Sequence, residues 1–104
     1  MNEYFVCNVD EVKESHGKRV VVEDVEIALF KNEDKIYAIS NTCPHKRFSL
    51  FHEGEFKDCV VSCPMHGWSF DVRTGDPVGG GGRVKTFETE VKNGKVFLKL
   101  QSLV

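Results

Sequence analysis

Cys43-Pro44-His45 and, after seventeen further residues, Cys63-Pro64-Met65-His66 are the two stretches that decide the fold and chemistry of this chain. Each supplies one thiol and one imidazole. Thiolates and neutral imidazoles are common protein ligands of zinc and of iron–sulfur centres. Two ligands separated by one or two residues on a turn can point at the same centre. Cys43, His45, Cys63 and His66 are therefore the predicted metal ligands and cofactor-binding residues.

Two kinds of metal site fit this ligand set. One is a structural zinc site, which is mononuclear and tetrahedral. The other is a binuclear iron–sulfur centre with two cysteines on one iron and two histidines on the other. Zinc fingers pair cysteine with cysteine and histidine with histidine, often with the histidines on a helix. Here each stretch contains one cysteine followed by one histidine, which favours the binuclear centre.

Short strand patterns lie on both sides of the two ligand pairs. Apolar alternation bounded by turn residues predicts strands, and the Asn-Gly at 93–94 predicts a tight hairpin turn. One helical turn is predicted at 10–14, and 41–57 is predicted to be mainly loop. The glycine run at 79–82 precedes a strand pattern, which favours a flexible connection over a phosphate loop. The predicted strands of this all-β chain are 4–7, 18–23, 25–31, 35–40, 59–62, 67–72, 84–91 and 95–100.

Length and composition limit which classes of protein this chain can belong to. The length of 104 residues predicts a single domain, 1–104, and a net charge of −2 without a basic stripe argues against nucleic-acid binding. The apolar runs are too short to span a membrane, and the acidic start lacks a secretory signal, so a cytoplasmic protein is expected. Cys7 and Cys59 lie in apolar stretches and are predicted to be small buried side chains rather than disulfide partners.

The motif pair, together with 67–68, 70–71 and 74–75 (Gly-Trp, Phe-Asp and Thr-Gly), resembles the Rieske [2Fe-2S] domain. The resemblance implies a small antiparallel β-sandwich or barrel with a cluster-binding subdomain of two loops at about residues 41–75. It implies one Rieske-type [2Fe-2S] cluster per chain. Cys43 and Cys63 would bind the inner iron, and His45 and His66 an outer iron close to solvent.

Departures from high-potential relatives predict a low reduction potential. Those relatives carry a disulfide beside the cluster, and the matching positions here are Phe48 and Met65. They also use a serine and a tyrosine hydroxyl as hydrogen-bond donors to cluster sulfurs. The positions here that resemble those two are Trp68 and Phe70, which have no hydroxyl. Fewer donors stabilise the reduced charge less. The potential is therefore expected near the bottom of the Rieske range of about −150 to +300 mV.

The resemblance implies a soluble Rieske-type ferredoxin, which is an electron-transfer protein and not an enzyme. It would carry single electrons transiently from a reductase, expected to be a flavoprotein, to a terminal oxygenase or similar acceptor. The alternative is a small Rieske subunit of a nitrite reductase-like complex, and a structural zinc module for interaction is the least favoured. His16 and His52 are not expected to be ligands. Lys46 and Arg47 are expected either to be solvated surface residues or to attract an acidic partner electrostatically.

Overall fold

The computed structural model describes residues 2–14, 16–33, 35–41, 54–62, 69–78 and 83–100. Within them the chain forms ten strands and a short 3-10 helix, Val9–Glu11. The strands are β1 (Asn2–Asn8), β2 (Lys18–Val22), β3 (Val25–Asn32), β4 (Lys35–Ser40), β5 (Glu55–Lys57), β6 (Val60–Ser62), β7 (Ser69–Asp71), β8 (Pro77–Val78), β9 (Thr86–Lys92) and β10 (Lys95–Leu100).

The strands form two antiparallel sheets. The larger has six strands in the order β1-β10-β9-β4-β3-β2, and it curves until its edge strands β1 and β2 approach each other as a nearly closed barrel. The smaller sheet has four strands in the order β5-β6-β7-β8. This confirms the predicted all-β class and the small antiparallel sandwich or barrel.

Strands β3 and β4 form the wall between the two sheets. Along β3, Ile27, Ala28, Leu29 and Phe30 are all fully buried, because this strand is covered on both faces. Such strands carry continuous apolar runs instead of alternating ones. Two buried clusters result. The barrel interior contains Cys7, Val12, Val22, Ile27, Leu29, Ile36, Ala38, Val96 and Leu98, and the cluster between the sheets contains Ala28, Phe30, Ile39, Phe56, Cys59, Val61, Phe70, Val72 and Val84.

Three of the hairpins turn on two residues with positive φ. These pairs are Glu23-Asp24 (50° and 64°), Asp58-Cys59 (53° and 66°) and Asn93-Gly94 (51° and 76°). Positive φ at both central residues matches the right-handed twist of the flanking strands. The third turn was predicted from its Asn-Gly pair, and the first lies where the predicted strands 18–23 and 25–31 meet. The second was not predicted, and Cys59 had been assigned to a strand that begins only at Val60.

The predicted helical turn at 10–14 was wrong in its position. The 3-10 helix lies at Val9–Glu11, and the Asn8 backbone N–H donates to the Glu11 carboxylate at 2.8 Å. Val12 follows in an extended conformation and is 1% exposed. Burial of Val12 in the barrel interior explains why the helical turn ends before it.

Two short strands were missed. The segment 41–57 was predicted to be mainly loop, but β5 lies within it, with Phe56 buried between exposed neighbours. The connection 76–83 begins with β8, whose Pro77 pairs with Phe70. These strands have only three and two residues, and they lie in segments without a sustained apolar alternation, so the sequence does not indicate them. The predicted strand at 67–72 is observed as β7 within the described residues, and 79–82 lie outside them.

Gly75 and Gly94 make a matched pair for a stability test. Both have positive φ, 81° and 76°, but a Cβ at Gly75 would overlap the Val84 carbonyl oxygen, whereas a Cβ at Gly94 meets nothing within 4 Å. Gly94→Ala is therefore expected to cost only left-handed backbone strain, about 1 kcal/mol. Gly75→Ala should cost about 3 kcal/mol. Thermal unfolding of both variants checks this, and equal losses would contradict it.

None of the residues that the structure describes belongs to a helix with the length and apolar character needed to cross a bilayer.

Candidate functional site

The four predicted ligands lie in two segments between described strands. Cys43 and His45 fall within 42–53, and Cys63 and His66 within 63–68, so all four lie outside the described residues. The structure nevertheless gives the points from which both segments start and to which they return. The same holds for other residues named from the sequence, which also lie outside the described part: Pro44, Lys46, Arg47, Phe48, His52, Met65 and Trp68.

The first segment leaves the barrel wall at the end of β4. Ser40 donates its backbone N–H to the Lys85 carbonyl at 2.8 Å, and Asn41 donates its backbone N–H to the Glu26 carbonyl at 3.0 Å. Asn41 is fully buried. These bonds tie the chain to the barrel at Asn41, two residues before Cys43 in the sequence.

The second segment connects β6 to β7. These strands pair at Val60↔Asp71, Val61↔Phe70 and Ser62↔Ser69, so residues 63–68 are the six-residue connection of a β-hairpin. Val61 and Phe70 are fully buried against the barrel wall. Their burial holds one face of the hairpin, and Cys63 comes one residue after its last pair.

A pair of serine hydroxyls lies at the last register position of this hairpin. Ser62 Oγ and Ser69 Oγ are 2.9 Å apart and partly buried. Sequence analysis did not identify this contact. The available signal was the placement of one serine directly before Cys63 and another three residues after His66, on either side of the ligand stretch.

The opposite end of β7 is held by a turn of charged residues. The Asp71 carboxylate accepts three hydrogen bonds from Arg73, from its backbone N–H (2.8 Å), Nε (3.0 Å) and Nη2 (2.6 Å). This hydrogen bonding lowers the pKa of Asp71 and raises that of Arg73. Val84 then donates its backbone N–H to the Gly75 carbonyl at 2.9 Å. The turn thereby ties β7 to the chain that leads into β9.

The two other cysteines are core residues, as predicted. Cys7 and Cys59 are each 3% exposed and both are free thiols. Burial, and secondly the nearby Glu11 carboxylate, raises the pKa of the Cys7 thiol. Asn32 Nδ2 donates to Cys59 Sγ at 3.0 Å. Each thiol is thus accounted for by packing in one of the two buried clusters.

The described histidine is an exposed turn residue. His16 lies on the loop before β2 and borders an open groove together with β5 and Val60 and Ser62 of β6. Among the described residues, no group of three or more His, Cys, Asp or Glu side chains comes together in a way that could hold a metal ion.

Comparison with known proteins agrees with this architecture. The model of the Rieske [2Fe-2S] domain matches residues 2–95. The 3-phenylpropionate/cinnamic acid dioxygenase ferredoxin subunit of Photorhabdus laumondii is 34% identical over 94% of each chain. Ferredoxin CarAc of Metapseudomonas resinovorans is 35% identical over 89% of each chain.

Solved structures show the same fold. A chain in the complex of reduced oxygenase and oxidised ferredoxin of carbazole 1,9a-dioxygenase is 33% identical, with a TM-score of 0.82 over 91% of this chain and 99% of that one. A protein from Mycobacterium tuberculosis that is described as an NADH-dependent nitrite reductase small subunit has a TM-score of 0.90 over 98% and 97% of the two chains, but it is only 18% identical and shows the fold alone. The cofactor of this protein is therefore a Rieske-type [2Fe-2S] cluster. The chain belongs to the Rieske [2Fe-2S] domain family.

Proposed function

We propose that this protein is a soluble Rieske-type ferredoxin that carries single electrons from a reductase to a terminal oxygenase. The observation that carries the proposal is the near full-length match to ferredoxin subunits of dioxygenases, 34% identical over 94% of each chain for the Photorhabdus protein. The bound cluster supplies a one-electron couple. The chain's own residues would hold the cluster, limit its contact with water and present it to a partner.

We propose Cys43, His45, Cys63 and His66 as the residues that hold the cluster. The donor set fits the group, because a Rieske centre takes two cysteines on one iron and two histidines on the other. The packing of the other cysteines supports this assignment, since Cys7 and Cys59 are buried in the two core clusters. The strand ends support it as well, because residues 63–68 connect β6 and β7, and the inner face of this hairpin is held by the burial of Val61 and Phe70.

The same strands support a single-domain organisation. We propose that residues 1–104 form one domain, because β3 and β4 contribute to both buried clusters and so join the two sheets. The predicted cluster-binding subdomain, about 41–75, largely coincides with the small sheet, which continues to Val78. The two loops that would hold the cluster both border this sheet.

The proposed partners are a reductase, expected to be a flavoprotein, and a terminal oxygenase. The ferredoxin of carbazole 1,9a-dioxygenase forms a complex with its oxygenase, and the chain of that complex matched here is 33% identical. Contact should be transient, since redox encounters use small interfaces. A cytoplasmic location also stays a prediction. The small subunit of a nitrite reductase-like complex is the less supported alternative, because that likeness shows the fold alone.

Electron transfer between purified proteins tests this function. The reduced protein is mixed without oxygen with terminal oxygenases of the phenylpropionate and carbazole types, and oxidation of its cluster is followed by absorbance. We expect rapid, saturable oxidation by at least one oxygenase. Oxidation of the same protein by a ferricyanide standard controls for electron release in general. Stable co-purification with a flavin- and haem-containing reductase, without transfer to any oxygenase, would support the nitrite reductase alternative and contradict the proposal.

A further inference from the structure

The Ser62 and Ser69 hydroxyls form the last cross-strand contact before residues 63–68. The two residues face each other in the register of β6 and β7, and their Oγ atoms are 2.9 Å apart. Directly opposed residues of antiparallel strands share one face of the sheet. Because the neighbouring pair, Val61 and Phe70, faces the core, the two serines lie on the outer face. The hydroxyl pair is therefore not part of the core packing of this hairpin.

We propose that the hydrogen bond between Ser62 and Ser69 is a positioning device for the cluster loop. It holds the two ends of residues 63–68 together and so limits where Cys63 and His66 can lie. This inference rests on the proposed assignment of Cys63 and His66 as ligands. Neither serine is assigned as a ligand, and each acts through the residues that follow or precede it.

The short ladder explains why such a contact matters. The strands β6 and β7 share only three register pairs, and the outermost pair of a short ladder opens most easily. If the Ser62–Ser69 pair opened, Cys63 would gain freedom because it is the next residue. One hydrogen bond between neutral side chains shifts such an opening equilibrium by roughly two- to tenfold. The loop ends would therefore be closed for a larger fraction of time.

The arrangement also predicts that the two hydroxyls act as a unit. Removing either one breaks the same bond and leaves the other partly buried hydroxyl without this partner. Removing both hydroxyls also abolishes the bond, but no partly buried hydroxyl is then left without its partner. The double variant should therefore be no worse than the more affected single variant, whereas two independent hydroxyls would give multiplied effects.

The experiment compares Ser62→Ala, Ser69→Ala, the double variant and the hydroxyl-retaining Ser62→Thr and Ser69→Thr, all loaded with the cluster. The rate of cluster loss to an iron chelator is measured, together with the midpoint potential and the electron paramagnetic resonance line width of the reduced protein. We expect each alanine variant to lose its cluster roughly two- to tenfold faster, with a displaced midpoint and broader lines. Threonine should restore wild-type values, and the double variant should not exceed the singles.

Thr89→Val provides the matched control. Its hydroxyl is also partly buried and donates to the Ile36 carbonyl at 2.6 Å, but it lies on the β4–β9 side of the barrel. The control should keep the wild-type midpoint and line width. Wild-type behaviour of either alanine variant, or multiplied effects in the double variant, would overturn the inference. If Cys63→Ser removes the cluster while Ser62→Ala and Ser69→Ala match wild type, the positioning role of the serines is wrong but the ligand assignment stands. If Cys63→Ser retains the native cluster, the ligand assignment fails and the inference with it.

Discussion

Single replacement of Cys43, His45, Cys63 or His66 by alanine is expected to abolish the intact [2Fe-2S] cluster. A Rieske centre has two cysteines on one iron and two histidines on the other, so loss of any one leaves an iron with an incomplete protein ligand set. Purified wild-type protein should contain about two iron and two acid-labile sulfide per chain, with visible absorption. Each variant should lose most of both. Chemical analysis and the absorption spectrum measure this.

The chain offers controls of the same residue types. Cys7→Ala and Cys59→Ala each remove a thiol from one of the two groups of buried core residues. Both variants should keep the [2Fe-2S] cluster, with some loss of thermal stability from the vacated core volume. His16→Ala and His52→Ala remove imidazoles that are not assigned as ligands and should keep full iron and sulfide. A native spectrum in any of the four ligand variants, or zinc in place of iron and sulfide in the wild type, would contradict the assignment.

The ligand assignment is a prediction that rests on residue type and order alone, because all four residues lie outside the described part of the chain. Each of the two pairs contains one cysteine followed by one histidine, and that order favours a binuclear centre over a zinc finger. The barrel wall was also predictable. Within Val25–Asn32, residues 27–30 form a continuous apolar run, as expected of a strand that is buried on both faces.

What could not be predicted depends on contacts between distant residues. Cys59 looked like the start of a strand because it precedes two valines, but it takes a left-handed turn conformation, φ 66°, while its side chain packs between the sheets. An Asn32 side chain 27 residues away supports it there. The Ser62–Ser69 contact likewise depends on the register of β6 and β7. In both contacts, nothing in the sequence around one residue identifies the residue that it contacts.

The reduction potential of this protein is expected to lie near the bottom of the Rieske range, about −150 mV on a scale that extends to about +300 mV. The position that resembles a tyrosine donor of high-potential relatives is Phe70. Phe70 is fully buried on the inner face of β7, where it pairs with Val61 and Pro77. A phenylalanine there fills the space of the ring but provides no hydroxyl. The reduced cluster is therefore expected to be less stabilised than in those relatives. Protein-film voltammetry measures the midpoint, and a value well above zero would contradict the expectation.

Phe70→Tyr should raise that midpoint. A hydroxyl at this position restores a donor of the kind found in high-potential relatives, and hydrogen bonds to charged acceptors contribute about 1.5–3 kcal/mol. Only the difference between the oxidised and reduced states counts, so the expected rise is on the order of tens of millivolts, given about 59 mV per tenfold change for one electron. Phe30→Tyr adds the same hydroxyl to a ring that is equally buried but belongs to β3 of the barrel wall, and it should leave the midpoint unchanged. Equal shifts in both variants would show that added polarity in the core, rather than a donor at Phe70, sets the potential. No shift in Phe70→Tyr with unchanged thermal stability would show that the new hydroxyl finds another acceptor, and the low potential would then need a cause other than the missing donor.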